Sequence, residues 1–190
     1  LLAGAHPHLV GIAVMLQQSI AHLSAPARHA LRLASVLANA PVPFDLIATA
    51  LAQQIRGSSV QAVSQAQIAL DELLGLGLVD RASHEGICVS RLVHAAALAL
   101  DKPQDLATAR SLLVSIFASE LPQCPEAVDA NPYASWIPHA LHLARSTDPS
   151  PQLIEINAWL ARFDQLGSLQ ASNRRAVTLL ERGDVNDAEQ

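Results

Sequence analysis

The stretch "LVDRASHEGICVSRLVHAAALAL", Leu78 to Leu100, changes its period halfway along. From Ile87 the side chains alternate between two faces, as on a short strand, and from Leu92 the apolar spacing is helical. The upstream half, "LVDRASHEGICV", reads as strand, polar turn, strand. A small hairpin therefore runs straight into a helix. Such a hairpin could read DNA, sense a nucleotide or simply close a core, and its flanks narrow the choice.

On the N-terminal side three helices precede the hairpin. In "LSAPARHALRLASVLAN", Ser24 is the N-cap and Pro26 sits early, where its missing N–H does no harm. Leu31, Leu33, Ala34 and Leu37 carry the apolar face, and Asn39 with Pro41 ends the helix. "VPFDLIATALAQQI" is opened by Pro43 and closed by Gly57; "VQAVSQAQIALDELLGLGLV" is helical to Leu74, where Gly75 and Gly77 stop it. From Ser24 to Leu100 the order is helix, helix, helix, strand, turn, strand, helix. Three helices followed by a two-stranded wing is the winged-helix plan. Its core is expected from Leu31, Leu37, Leu46, Leu70, Leu74, Leu78, Val89 and Leu92.

Upstream lies a helix over about Pro7 to Leu23, with Ile12, Met15, Leu16, Ile20 and Leu23 on one face. Downstream the chain is helical throughout. "DLATARSLLVSIFASEL" is amphipathic, "CPEAVDANPYAS" is a proline-punctuated loop leading into "WIPHALHLARS", and "STDPSPQ" is a short linker. "LIEINAWLARFDQLGSLQ" and "ASNRRAVTLLERGDVNDAEQ" read as paired helices. In the second, Ala176, Leu179, Leu180, Gly183 and Ala188 are spaced as in the first helix and turn of a tetratricopeptide repeat. The fold class is thus mainly α: a winged-helix domain followed by antiparallel, tetratricopeptide-like hairpins. The segments are 1–23, the end of a preceding helical domain; 24–101, the winged-helix domain; 102–147, a helical linker domain; and 148–190, the start of the repeats.

Composition limits the function. The 190 residues are 51% hydrophobic, 15% charged and 3% aromatic, so the core is aliphatic and helix-packed. A net charge of −5 argues against a general electrostatic grip on nucleic acid or an anionic membrane. Lys102 is the only lysine among twelve basic residues, a mark of a GC-rich genome rather than of chemistry. Cys88 and Cys124 read as free thiols without metal-ligand spacing. The apolar N-terminus is interrupted by His6 and His8, has no basic stretch before it, and is neither a signal peptide nor a bilayer span. With no initiator Met and an end at "GDVNDAEQ", the chain reads as a segment of a longer protein.

Most site chemistry is missing. A DNA-reading third helix needs Arg or Lys for phosphates. Here that helix carries Asp71 and Glu72 and neither Arg nor Lys; Gln61, Gln65 and Gln67 could in principle touch bases, but nothing anchors them to the phosphate backbone, and the wing sets Arg81 against Asp80 and Glu85. There is no Gly-rich Lys-Ser/Thr loop, so this fragment is not itself an ATPase, and no catalytic residue is assigned. His139 and His142 stand one turn apart but lack a third ligand, and the sequence offers no metal site; a polar helix edge is the simpler reading. His94 reads as a satisfied buried histidine. Ser19, Ser35 and Ser90 have no elbow glycines around them. Asp71 and Glu72, adjacent on a helix, read as a solvated face.

Taken in order, four pieces resemble one family, the bacterial STAND signalling ATPases related to NB-ARC and NLR proteins. "LQQSIAHL" with "LASVLANAPVPFDLI" is similar to the family's entry into its winged helix, and "ALDELLGLGLVDRASHEGICVSRLVHAAAL" to its wing and following helix. "WIPHALHLA" is similar to the helix leading into the repeat array, and "NRRAVTLLERGDVNDAE" to the start of that array. The resemblance implies a regulatory, cytoplasmic segment with no cofactor of its own. It couples a nucleotide-binding core elsewhere in the parent chain, which takes ADP or ATP with Mg, to a repeat array that senses a protein or ligand trigger. It also implies a nucleotide-sensor position at Ser90 and Arg91. The family places a histidine beside the ADP phosphates, and this chain has Ser90 there. A hydroxyl donates a hydrogen bond to a phosphate but carries no charge. The alternative is a free-standing helical interaction module or winged-helix transcription regulator.

Overall fold

The structure, a computed structural model, describes residues 7–55, 59–83, 86–121 and 134–146, together with 151–161 except 153 and 155. Its helices are α1 (Pro7–Ala21), α2 (Ala25–Val36), α3 (Phe44–Ile55), α4 (Ser59–Gly75), α5 (Arg91–Leu100), α6 (Pro103–Glu120) and α7 (Ile137–Ser146). The strands are β1 (Val42–Pro43), β2 (Val79–Ser83) and β3 (Gly86–Val89). The chain is therefore mainly helical with a small antiparallel sheet. Cys124 and the repeat-like positions Ala176, Leu179, Leu180, Gly183 and Ala188 lie outside the described residues.

Helix α2 is the hub, packing against α3, α4, α5 and α6. Two-thirds of its residues are buried, including Ala27, Ala30, Leu31, Leu33 and Ala34, which suits a helix enclosed on most sides. Ser24 caps it by accepting from the Ala27 N–H at 3.3 Å. The cap is held from a distance: Ser24 N–H and Oγ–H donate to the Glu72 carboxylate at 2.8 and 2.5 Å. Glu72 does lie at the surface, and its carboxylate joins the start of α2 to the end of α4. These two bonds hold its pKa below the usual carboxylate value.

Helix α4 ends as its glycines dictate. Gly77 takes φ 64°, its N–H donates to Leu74 O at 3.0 Å, and Leu78 N–H reaches back to Leu73 O at 3.0 Å. That is a Schellman cap, closed by the buried pair Leu73 and Leu78.

The expected two-stranded wing has a third member. The sheet order is β1-β3-β2, with Val42 opposite Ile87, Pro43 opposite Gly86, and β2 paired to β3 from Val79↔Val89 to Ser83↔Gly86. Two residues are too few to show a period of two, and Pro43 is tolerated because β1 is an edge strand. Glycine is required at position 86, where a Cβ would lie 2.9 Å from Val42 O.

Three core expectations change. Leu92 is 50% exposed, because the buried face of α5 is set by Val93 and Ala97, four residues apart. On α4 the inward row is Ala66, Ala69, Leu70 and Leu73, so Leu73 is enclosed and Leu74 only half-buried. Helix α1 stops at Ala21, and of its expected stripe Met15 and Ile12 face solvent, Leu16 is half-buried, and only Ile20 and Leu23 are enclosed. α1 lies against α5 and so covers little of itself.

One apolar core runs from Ile20 to Leu160, passing through α6 and α7. Arg32 on α2 binds Asp101, the C-cap of α5, through Nε and Nη2 at 2.8 Å each, and Asp105 lies 3.6 Å from the same guanidinium. Trp136, in a 3-10 turn before α7, meets Phe117 edge-to-face at 5.9 Å and donates from Nε1 to Asp45 at 3.2 Å. His139 is fully buried and donates from Nε2 to Pro41 O at 3.0 Å. The polar-edge reading therefore fails for His139, whose ring anchors α7 beside β1.

Candidate functional site

The junction of β3 and α5 holds both residues assigned from the resemblance. Ser90 is the N-cap of α5, with φ −62° and ψ 150°, and its Oγ accepts from the Val93 N–H at 3.3 Å. Capping uses the oxygen as acceptor and leaves the O–H proton for a partner outside the helix. Ser90, Arg91 and Leu92 are all exposed. Arg91 forms no ion pair among the described residues. An exposed guanidinium beside a helix N-terminus, with its dipole and a serine hydroxyl, is an arrangement that attracts an anion. His94, one turn on, is half-buried, and its N–H donates to Ser90 O at 2.9 Å within the helix.

The outward face of α4 has a different chemistry. Val60, Val63 and Ile68 are 76%, 49% and 62% exposed, beside Gln61, Ser64, Gln67 and Asp71. Gln67 donates to Asp71 at 2.8 Å, so this amide is already engaged. Gln65 is turned instead toward α2. The helix offers apolar side chains and no cation. Among the described residues no three of His, Cys, Asp and Glu come together, and no helix is long and apolar enough to cross a membrane. The thiol of Cys88 is free and half-buried on β3.

A second place, unseen in the sequence, is a surface groove of about 410 Å³ beside α2. Ala25, Pro26, Arg28, His29 and Arg32 of α2 line it, with Leu51 of α3 and Gln65 of α4. Arg28 Nη2 donates to Ile20 O and Ala21 O at 3.0 and 2.9 Å, closing the C-terminus of α1. Arg28 Nε and His29 Nε2 are buried without a hydrogen-bond partner among the described residues. The one signal in the sequence was "ARHALR", with two arginines four apart and a histidine between them.

Burial, then the nearby Arg32 charge, lower the His29 pKa from 6.5 to about 4, with Asp101 opposing. His139 is lowered by burial, against its bond to Pro41 O; His142 is lowered by burial, then by His94 and Arg110. Well above pH 6.5 these rings are neutral in both states and contribute no pH dependence. As pH falls from 6.5 toward 4 the unfolded chain takes up protons that the folded one refuses, and stability drops. His29 alone accounts for up to about 3 kcal/mol of this loss. Thermal unfolding at pH 7.5 and pH 5 should show a clear drop in Tm, and His29→Asn should lessen it, with His139 and His142 keeping the rest. Equal slopes for wild type and variant would show that His29 is not buried neutral.

No protein-family model, curated protein or solved structure matches this chain.

Proposed function

We propose that residues 24–101 form a winged-helix module and that the chain is a regulatory and scaffold segment of a STAND-type signalling ATPase. In this reading the module docks on the nucleotide-binding core of the parent chain, and the helices after it lead to a tetratricopeptide-like, trigger-sensing array. Its work is conformational: it holds the core closed until the trigger binds, then moves as a body. One observation carries the reading. A helix–strand–helix–helix–hairpin order with sheet order β1-β3-β2 delivers an exposed Ser90–Arg91 pair at the N-terminus of α5. That is the place from which the family's resemblance has a side chain approach the ADP phosphates.

Ser90 then serves twice, as the cap of α5 and as an uncharged donor to bound nucleotide. The test is ADP release from the full-length parent, wild type against Ser90→His, where the histidine adds a partly cationic donor and should slow release.

A second reading is a protein-interaction module independent of nucleotide. The bare apolar face of α4, with Val60, Val63 and Ile68 outward, favours it. The same face speaks against a transcription regulator, since it offers no Arg or Lys to a phosphate backbone.

A further inference from the structure

The seat of His139 accepts only a neutral ring. His139 is fully buried, and its Nε2 lies 3.0 Å from Pro41 O. A carbonyl only accepts, so Nε2 carries the ring proton and Nδ1 holds a bare lone pair. Nδ1 is buried with no hydrogen-bond partner among the described residues. A second proton would make a cation whose Nδ1–H meets no acceptor, a costly state in a dry interior. The charges nearby do not offset it. His142 acts on this ring, and His94 of α5 and Arg110 of α6 act in turn on His142. The acid on α3, Asp45, is engaged through Oδ1 by Trp136 Nε1–H and Leu46 N–H.

The same ring helps to fasten α7. His139 on Pro41 O, Trp136 on Asp45 and the Trp136–Phe117 ring contact tie α7 and its 3-10 turn to the body. The helix that α7 packs on is α6, whereas α2 to α5 enclose one another around α2. We propose that α7 and the turn before it form an acid-released clasp: a proton taken up at His139 Nδ1 expels the ring from its seat, and α7 lifts off β1 and α6 while α2 to α5 stay folded. Release uncovers Trp136 and Phe117, both buried when the clasp is closed, and the edge strand β1 against which the turn lies.

The direction follows from linkage. Burial, against the bond to Pro41 O, lowers the His139 pKa, so the clasp is closed well above pH 6.5 and loosens as pH falls below it. A ring that takes its proton only when open favours opening by up to about 30-fold at pH 5. His29, in the hub, refuses its proton down to about pH 4, which leaves the interval between for release of α7 alone. The clasp is independent of the Ser90 junction and of any bound nucleotide.

The test uses the 190-residue chain carrying Trp159→Phe, which leaves Trp136 as its sole tryptophan. From pH 8 to pH 5, acrylamide quenching of Trp136 should rise reversibly and its emission shift to the red. The helical circular dichroism and a cooperative melt should persist at pH 5. His139→Gln keeps an amide donor for Pro41 O and cannot titrate; it should lower the open-to-closed ratio at pH 5 by up to about 30-fold. His142→Gln, at an exposed ring, should remove only a small part of the response. Imidazole 15N NMR reads the event without altering a histidine: proton uptake by His139 should track the exposure of Trp136. Quenching that stays flat, or that rises only as the cooperative melt is lost, would overturn the proposal. So would a response unchanged in His139→Gln, or a protonated His139 with Trp136 still covered.

Discussion

Leu73→Asp should abolish folding. Leu73 is fully buried on the inward row of α4 with Ala66, Ala69 and Leu70, and it sits at the first position of the Schellman cap opposite Leu78. Truncating a buried leucine costs about 2–5 kcal/mol through lost burial and the cavity left behind. Adding a carboxylate with no partner costs several more, whether it stays ionised or takes up a proton. The sum is comparable to the whole stability of a domain, about 5–15 kcal/mol. Circular dichroism should show no cooperative melt, and a hydrophobic dye should bind at room temperature. Ile68→Asp on the same helix is the control. Ile68 is 62% exposed, so the change should stay within about 0.5 kcal/mol. A Leu73→Asp chain that melts like the wild type would mean that α4 presents another face to α2.

The second large effect concerns the ion pair that fixes α2 to the C-terminus of α5. Arg32 and Asp101 meet in a two-bond fork at 2.8 Å, with side chains only 17% and 14% exposed. Asp101→Ala removes both bonds and leaves the guanidinium mostly enclosed beside Asp105, a weaker partner at 3.6 Å. Because an unpaired buried charge is the expensive state, the single substitution should cost about 2–4 kcal/mol. Arg32→Met with Asp101→Ala should cost less than the two singles added together, with a coupling of at least about 1.5 kcal/mol. Urea unfolding of the four chains measures it. Additive losses would show that the pair is a surface contact of little weight.

The parts readable in the sequence were those whose cause is local. Ser24 caps α2 because a serine stands before an apolar period, and Gly77 ends α4 because it alone tolerates the left-handed turn. The hairpin followed from alternation around a polar turn. The features that escaped depend on partners distant in the chain. Glu72 looked solvated beside Asp71, yet its partner Ser24 lies 48 residues away. His139 looked like a helix edge, yet Pro41 O is 98 residues away. Strand β1 is two residues long and exists only because β3 is there to pair with it. Leu92 was misplaced because helix phase at a first turn is set by the strand before it. Of the candidate sites, the Ser90–Arg91 junction comes from the family resemblance alone. The groove was not legible, since its walls come from three helices.

The most direct measurement is ADP release from the full-length parent chain. The wild type is expected to copurify with ADP and to release it slowly. Ser90→His should slow release by about tenfold, since a hydrogen bond to a charged group contributes about 1.5–3 kcal/mol. A parent that holds no ADP, or one in which Ser90→His leaves the release rate unchanged, would contradict the regulatory role; an unchanged rate would leave the hairpin as a means of closing a core.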